Sequence, residues 1–340
     1  MADPAPRRTD GPVVDVHAHA MPLALLQWLA SEGLADLSRV ETDNVVIIDP
    51  RVSGVGPGAP LPLPRSMYDN DLRLREMDAQ GVTHQAISLP PFLMGSACDD
   101  QDLVVELVRR GNNALAELVA GSERLLGLVG VPLGFVDGVR EVRRGLDDLG
   151  MPGAAIGSQG GGKDLDDETN TPVWQLLSQR SVFTFLHPSA VPAPARMTDF
   201  WGPQVLGYPM ETAIAAARMI FSGRLEAHPF PLCLAHGGGC VPSVRPRLQM
   251  GWERKAVAKT TQRPPRDLFN ELYFDTAVFD PTALQRLIED VGADQVLVGT
   301  DYPFDLADRD PVASVGEVNL GGGAREAILG RTAARLLGIG

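Results

Sequence analysis

The sequence predicts an α/β fold, a (β/α)8 TIM barrel with a flap inserted between strand 1 and the second βα unit. Three observations predict it. Short β-branched runs recur eight times along the 340 residues, most of them separated by segments with apolar residues at helical spacing, and polar residues cluster at the run ends. Strands that alternate with helices build parallel βαβ units, and eight such units close a barrel.

The first run is Val13–His17. A long connection from Ala20 to Asp69 follows, with an extra strand expected over Asn44–Asp49 and then the Pro/Gly-rich tract Asp49–Pro64. A connection of that length inside a barrel is usually functional, so residues 21–68 are read as a flap over the barrel mouth. The remaining runs are Thr83–Leu89, Leu125–Val131, Ala154–Gly157, Val182–His187, Leu232–His236, Leu272–Asp275 and Val296–Thr300. Helical patterns cover Asp69–Gly81, Leu103–Ala120, Val136–Leu149, Trp174–Gln179, Glu211–Ser222 and Pro281–Val291. Gly160–Gly162 reads as a flexible loop; it lacks the GxGxxG spacing between strand and helix, which excludes a dinucleotide site. The expected organisation is a flexible tail over 1–12 and one metal-dependent barrel over 13–340.

Composition narrows the function. A net charge of −13, only three lysines (Lys163, Lys255, Lys259) and no basic run exclude a nucleic-acid partner. No apolar stretch is long enough to span a bilayer, so no membrane association is expected. The first residues, Met1 to Gly11, are polar and Pro-rich without the apolar core of a signal peptide, which makes cytoplasm the expected location. Cys98, Cys233 and Cys240 are an odd number without CxxC spacing, against both a disulfide framework and a cysteine zinc site.

The chemistry lies in the histidines. His17 and His19 occupy positions i and i+2 of one strand and therefore share a face. His187 ends run five, His236 ends run six, and Asp301 follows run eight. Four of the six histidines thus fall at the C-terminal strand ends, the face on which barrels of this type build active sites. Neutral imidazole is the commonest ligand of borderline divalent ions. His84 in a strand and His228 before Pro229 read as structural, as do Trp174 and Trp252; Tyr208 and Tyr302 are secondary candidates for substrate contact.

Several motifs together resemble the metal-dependent amidohydrolase superfamily, in the branch of the aminocarboxymuconate-semialdehyde, γ-resorcylate and carboxyvanillate decarboxylases. They are Asp15-Val16-His17-Ala18-His19, Glu76-Met77-Asp78-Ala79-Gln80-Gly81-Val82, His187-Pro188, His236-Gly237-Gly238-Gly239 and Gly299-Thr300-Asp301-Tyr302-Pro303-Phe304. The resemblance implies that His17, His19, His187 and Asp301 bind one divalent metal ion, zinc in the first place and manganese as the alternative. It also implies His236 as catalytic base, with Asp301 sharing in proton traffic. Arg65 and Arg247 are the implied substrate arginines, with Arg51 the alternative to Arg65 and Arg247 reaching the site across a homodimer interface. Phe200 stands where a pocket tryptophan is expected and Trp201 is offset from it, and both are expected to line the substrate pocket. Strand four ends without a lysine and Lys163 lies beyond a turn, which favours a mononuclear site.

Two functions compete. The first is non-oxidative decarboxylation of a small unsaturated or aromatic carboxylate, a carbon–carbon lyase reaction. The second is metal-dependent hydrolysis of an amide, lactone or ring-cleavage product on the same scaffold. Arginine separates them, because a guanidinium grips a carboxylate and is dispensable for a neutral substrate.

Overall fold

A computed structural model describes residues 11–340; most of the tail expected over 1–12 lies outside the described residues. Eight strands follow one another in chain order in one parallel sheet: β1 Val14–His19, β2 His84–Ser88, β3 Leu125–Gly130, β4 Gly153–Ile156, β5 Phe183–Leu186, β6 Leu232–Leu234, β7 Tyr273–Asp275 and β8 Val296–Leu297. The ring closes where Val16 N–H donates to Val298 O at 2.8 Å and Asp301 N–H donates to His17 O at 2.8 Å. Seven of the expected strands appear within a residue or two of their expected ends; the eighth, expected over Val296–Thr300, stops at Leu297, three residues early.

Helices cover the barrel: α1 Leu23–Ser31, α2 Asn70–Gln80, α3 Gln101–Val119, α4 Gly138–Asp147, α5 Thr171–Gln179, α6 Tyr208–Phe221, α7 Val241–Arg254, α8 Pro281–Val291 and α9 Thr332–Leu337. Local chemistry sets several ends. Asp69 caps α2 by accepting from Leu72 N–H at 3.0 Å, and Gly81 ends it in the left-handed conformation. Asp280 caps α8 through Ala283 N–H at 2.7 Å.

Val14, Val16, Leu128, Ala155, Phe183, Phe185, Cys233 and Leu297 form one buried cluster that α9 joins through Ala333, Ala334 and Leu337. A larger cluster packs helices onto strands, with Val129, Trp174, Leu177, Phe269 and Phe274 among its members. The segment between β1 and α2 has its own antiparallel three-stranded sheet (Ala35–Asp36, Val45–Ile48, Pro60–Pro62), which packs with α1 on Met21, Leu25, Leu26, Leu63 and Met67. The triglycine is not a free loop: Gln159–Gly160 and Lys163–Asp164 pair as a short antiparallel hairpin around it.

β1 departs from simple alternation. Between Asp15 and Ala18 its register to β2 slips by one residue, a bulge. Such a slip reverses the alternation of faces. Val14 and Val16 pack with Phe185, and the His17 ring also lies 4.7 Å from the Phe185 ring. The bulge therefore turns an apolar barrel interior into a polar mouth within a single strand.

Candidate metal centre

Five strand ends converge on one point. His19 ends β1, His187 follows β5, His236 follows β6, Asp275 ends β7 and Asp301 follows β8. The ring of His17 lies 5.1 Å from that of His19, 5.2 Å from that of His187 and 5.1 Å from that of His236. One ligand atom from each of His17, His19, His187 and Asp301 falls within 4.8 Å of the others.

Each imidazole is aimed by a partner on its far nitrogen. His17 Nδ1–H donates to Asp275 Oδ2 at 2.6 Å, His19 Nδ1 meets Ser88 Oγ at 3.1 Å, and His187 Nδ1–H donates to Pro188 O at 2.9 Å. A proton held on Nδ1 leaves the Nε2 lone pair free for a metal. His17 Nε2 and His19 Nε2 lie 3.1 and 3.3 Å from Asp301 Oδ1, yet none of these three buried atoms makes a hydrogen bond. Buried polar atoms without partners are rare in native proteins. A divalent cation at their meeting point would satisfy them, so the donor set fits the implied ion. Lys163 lies apart, donating through Nζ to Gly134 O at 2.9 Å, which leaves this a group of three imidazoles and one carboxylate.

The electrostatics fit too. Burial holds His19 below the ordinary histidine value, and burial with the neighbouring imidazoles holds His187 well below it, so both are neutral donors. Burial also disfavours charge on His17, but the carboxylates of Asp301 and Asp275 outweigh it and raise the group to about 10, so without a cation its Nε2 holds a proton that a metal ion would displace. Burial opposes ionisation of Asp301, but His17 and the other imidazoles hold it well below the usual carboxylate range.

His236 stands just beside this group. Its Nε2 is 3.7 Å from Asp301 Oδ2, its Nδ1 is buried without a partner, and its backbone is left-handed at φ 57°. A bulky residue held at positive φ is strained and marks a functional turn. Gly237 makes the turn feasible: at φ 59° it donates its N–H to Asp275 Oδ1 at 2.7 Å, and a Cβ there would fall 2.2 Å from Val278 Cγ1.

Above the group opens a cavity of about 920 Å³. His187, His236 and Asp301 reach it from the strand ends, Tyr208 and Trp201 from one side, Val55 and Pro60–Pro62 from the inserted segment, and Phe92, Val278 and Phe304 fill in apolar wall. Tyr208 is half-buried, and burial together with Asp301 pushes its phenol up to about 12.

The other sequence candidates fall elsewhere in the chain. Arg65 pairs with Asp69 at 2.7 Å beside a separate depression lined by Tyr68, Asn70 and Leu118, and Arg51 pairs with Asp49 at 3.0 Å; neither lines the cavity. Arg247 is exposed on α7 and likewise stands outside the lining. Phe200 is 96% exposed and does not line the cavity that its neighbour Trp201 lines. Tyr302 is tied to Glu76 behind the site, not to the cavity. Sequence reasoning missed Asp275 and Ser88 as partners of the ligands, and Arg286 as a wall residue. For Asp275 the available signal was a lone carboxylate at the end of run seven.

Known proteins share this arrangement of chain. The family model described as Amidohydrolase matches residues 14–339. A 2-amino-3-carboxymuconate-6-semialdehyde decarboxylase from Dictyostelium discoideum is 31% identical over 280 residues, 80% of this chain and 77% of the relative. A gamma-resorcylate decarboxylase from Rhizobium radiobacter is 32% identical over 260 residues, 70% of this chain and 78% of the relative. The crystal structure of 5-carboxyvanillate decarboxylase LigW from Sphingomonas paucimobilis superposes with a TM-score of 0.80 at 23% identity, covering 97% of this chain and 99% of that one. With the family model spanning the barrel from its first strand to its last helix, the chain belongs to the amidohydrolase family.

Proposed function

We propose that this protein is a metal-dependent, non-oxidative decarboxylase of a small unsaturated or aromatic carboxylate. The observation that carries the reading is the mostly apolar cavity that opens onto His187 and Asp301 of the metal group, with His236 beside them and His17 and His19 buried just beneath. Relatives named as decarboxylases of such acids support it. We take residues 13–340 as one catalytic unit, with 21–68 as its cap. Zinc is the ion that the donor set favours, with manganese as the alternative. When bound by His17, His19, His187 and Asp301, the ion supplies Lewis-acid polarisation of a substrate oxygen.

The side chains do the rest. Apolar walls hold a flat ring or chain and exclude water. His236 delivers a proton to the carbon that bears the carboxylate, as a general acid–base. The carbon–carbon bond then breaks, CO2 leaves, and the bonding pair returns to the unsaturated system. Asp301 lies within reach of His236 to share that proton. Arg247, exposed on a helix whose first turn lines the cavity through Pro242 and Ser243, is assigned to the neighbouring subunit's substrate in a homodimer. Three free cysteines suit a reducing compartment, the cytoplasm; no helix among the described residues is long and apolar enough to cross a membrane.

The test is CO2 release from zinc-loaded protein across aminocarboxymuconate semialdehyde, hydroxybenzoates and related acids. Release that a chelator abolishes is expected, and His236→Ala should keep its metal while losing at least about a hundredfold in kcat. No release from any acid by metal-loaded protein would overturn the reading and direct assays to amides and lactones.

A further inference from the structure

The cavity is lined by a single arginine and no lysine among the described residues, and that arginine is Arg286. It belongs to α8, whose Ala283, Arg286, Leu287 and Asp290 all line the cavity. Their spacing is one stripe of a helix. Leu284 and Ile288 of the same helix pack into the core, so the stripe cannot turn away without unseating α8. Arg286 is exposed toward solvent and has no ion-pair or hydrogen-bond partner among the described residues, in contrast to Arg65 and Arg51. It is therefore free to meet an anion that enters the cavity.

What that anion is follows from the chemistry. A guanidinium offers two parallel donors that match a carboxylate. In decarboxylation the departing carboxylate becomes neutral CO2. A cation gripping it would stabilise the ground state more than the transition state and slow the step. A cation on a group that stays charged throughout carries no such penalty and still orients the molecule. The metal group and His236 lie at the strand ends, whereas Arg286 stands on the helical wall. Asp290, one turn along the same stripe, and Asp305 also line the cavity, so Arg286 is the one group on that side that attracts an anion.

We propose that Arg286 is a specificity-determining residue that binds an anionic group retained by the substrate, so that the substrate carries an acid group besides the one it loses. This rests on the decarboxylase reading, but its test requires no turnover. Benzoate and isophthalate differ by one carboxylate, and neither has to react to be bound. Their affinities for zinc-loaded protein can be measured by titration calorimetry in wild type, Arg286→Gln and Arg286→Lys, with Arg140→Gln as a control on an exposed arginine outside the cavity.

The wild type should favour isophthalate over benzoate by about tenfold or more, the scale of one charge-assisted pair. Arg286→Gln should bring the ratio close to one, Arg286→Lys should keep part of it, and Arg140→Gln should match wild type. The same ratio in wild type and Arg286→Gln, with both shown folded by thermal melting, would overturn the proposal. The two readings fail separately. A chain that shows the Arg286-dependent ratio but releases no CO2 supports this assignment and sinks the decarboxylase reading. A chain that releases CO2 without that ratio does the reverse.

Discussion

At the scale of single residues, Asp275 decides which nitrogen of His17 faces the metal group. Its Oδ2 takes the Nδ1 proton at 2.6 Å, while Oδ1 accepts from Gly237 N–H at 2.7 Å and Ala277 N–H at 3.1 Å. Burial disfavours its charge, but the hydrogen bond and charge of His17, joined by His236 and the Gly237 N–H, together outweigh burial and keep it below the ordinary carboxylate value. Asn at 275 would retain the carbonyl oxygen for the two amides and turn its NH2 toward Nδ1. That contact rewards the tautomer with the proton on Nε2, which has no lone pair to give. Asp275→Asn should therefore weaken metal binding by about 10–100-fold, the usual cost of losing such a partner. Competition against a chelator of known affinity checks it, and an unchanged affinity would mean that the carboxylate does not orient His17. The ligands themselves were legible in the sequence because each sits at a run end. Asp275 as their support was not, because the pair spans 258 residues and only closure of the barrel brings it together.

Among the elements, the bulge in β1 is held by a buried polar network. Asp15 Oδ2 accepts from Thr300 Oγ1–H at 2.7 Å and from Gln85 Nε2–H at 3.0 Å, and Asp15 Oδ1 from His17 N–H at 3.0 Å. Gln85 in turn accepts from Arg73 Nη1 at 2.9 Å, and Arg73 Nη2 donates to His19 O at 2.6 Å and Ser66 O at 2.8 Å. A fully buried guanidinium from α2 thus ties β1, β2 and the end of the inserted segment together, with its Cζ 4.9 Å from the centre of the Tyr302 ring. Arg73→Met keeps much of the volume but strands three buried acceptors and removes the charge that faces Asp15. It should cost about 3–5 kcal/mol, read as a lower urea midpoint at unchanged slope; a loss under about 1 kcal/mol would show the network to be dispensable. Which elements could be read from sequence follows the same physics. The strands were legible because burial on both faces makes them β-branched runs. Helix α7 was not: Pro242 and Pro246 break its pattern, and Val241 is its one fully buried side chain. The faces of loops escaped for a related reason. Phe200 and Trp201 share a positive-φ turn, and no periodicity says which of them points inward. Arg286 lay on an amphipathic helix where a charged residue reads as a solvated face.

For the whole molecule, the described surface leaves a set of large apolar side chains in water on the adjoining α6 and α7 and the segment before α6. Phe200, Val205 and Leu206 are exposed there, as are Met210 and Ile214 on α6, Met250 on α7 and Val257 just beyond it. Clustered apolar exposure of this kind marks an interaction face, and a second copy of the chain can cover it in a two-fold, self-complementary contact. Arg247 rises from the same helix as Met250, without an ion-pair partner among the described residues. In a homodimer it would lie at the rim of the contact, positioned for the other subunit's cavity. Subunit mixing tests this without knowing the interface in detail. His236→Ala and Arg247→Ala dimers should each be nearly inactive. If Arg247 serves its own chain, a mixed dimer has one fault in each site and stays inactive. If it serves the other chain, one site of the mixed dimer collects both faults and the other is intact. Random re-association of equal amounts makes about half of the dimers mixed, so about a quarter of wild-type activity should return. Activity that stays at the level of the separate variants, with exchange verified by mass spectrometry, would place Arg247 outside the shared site.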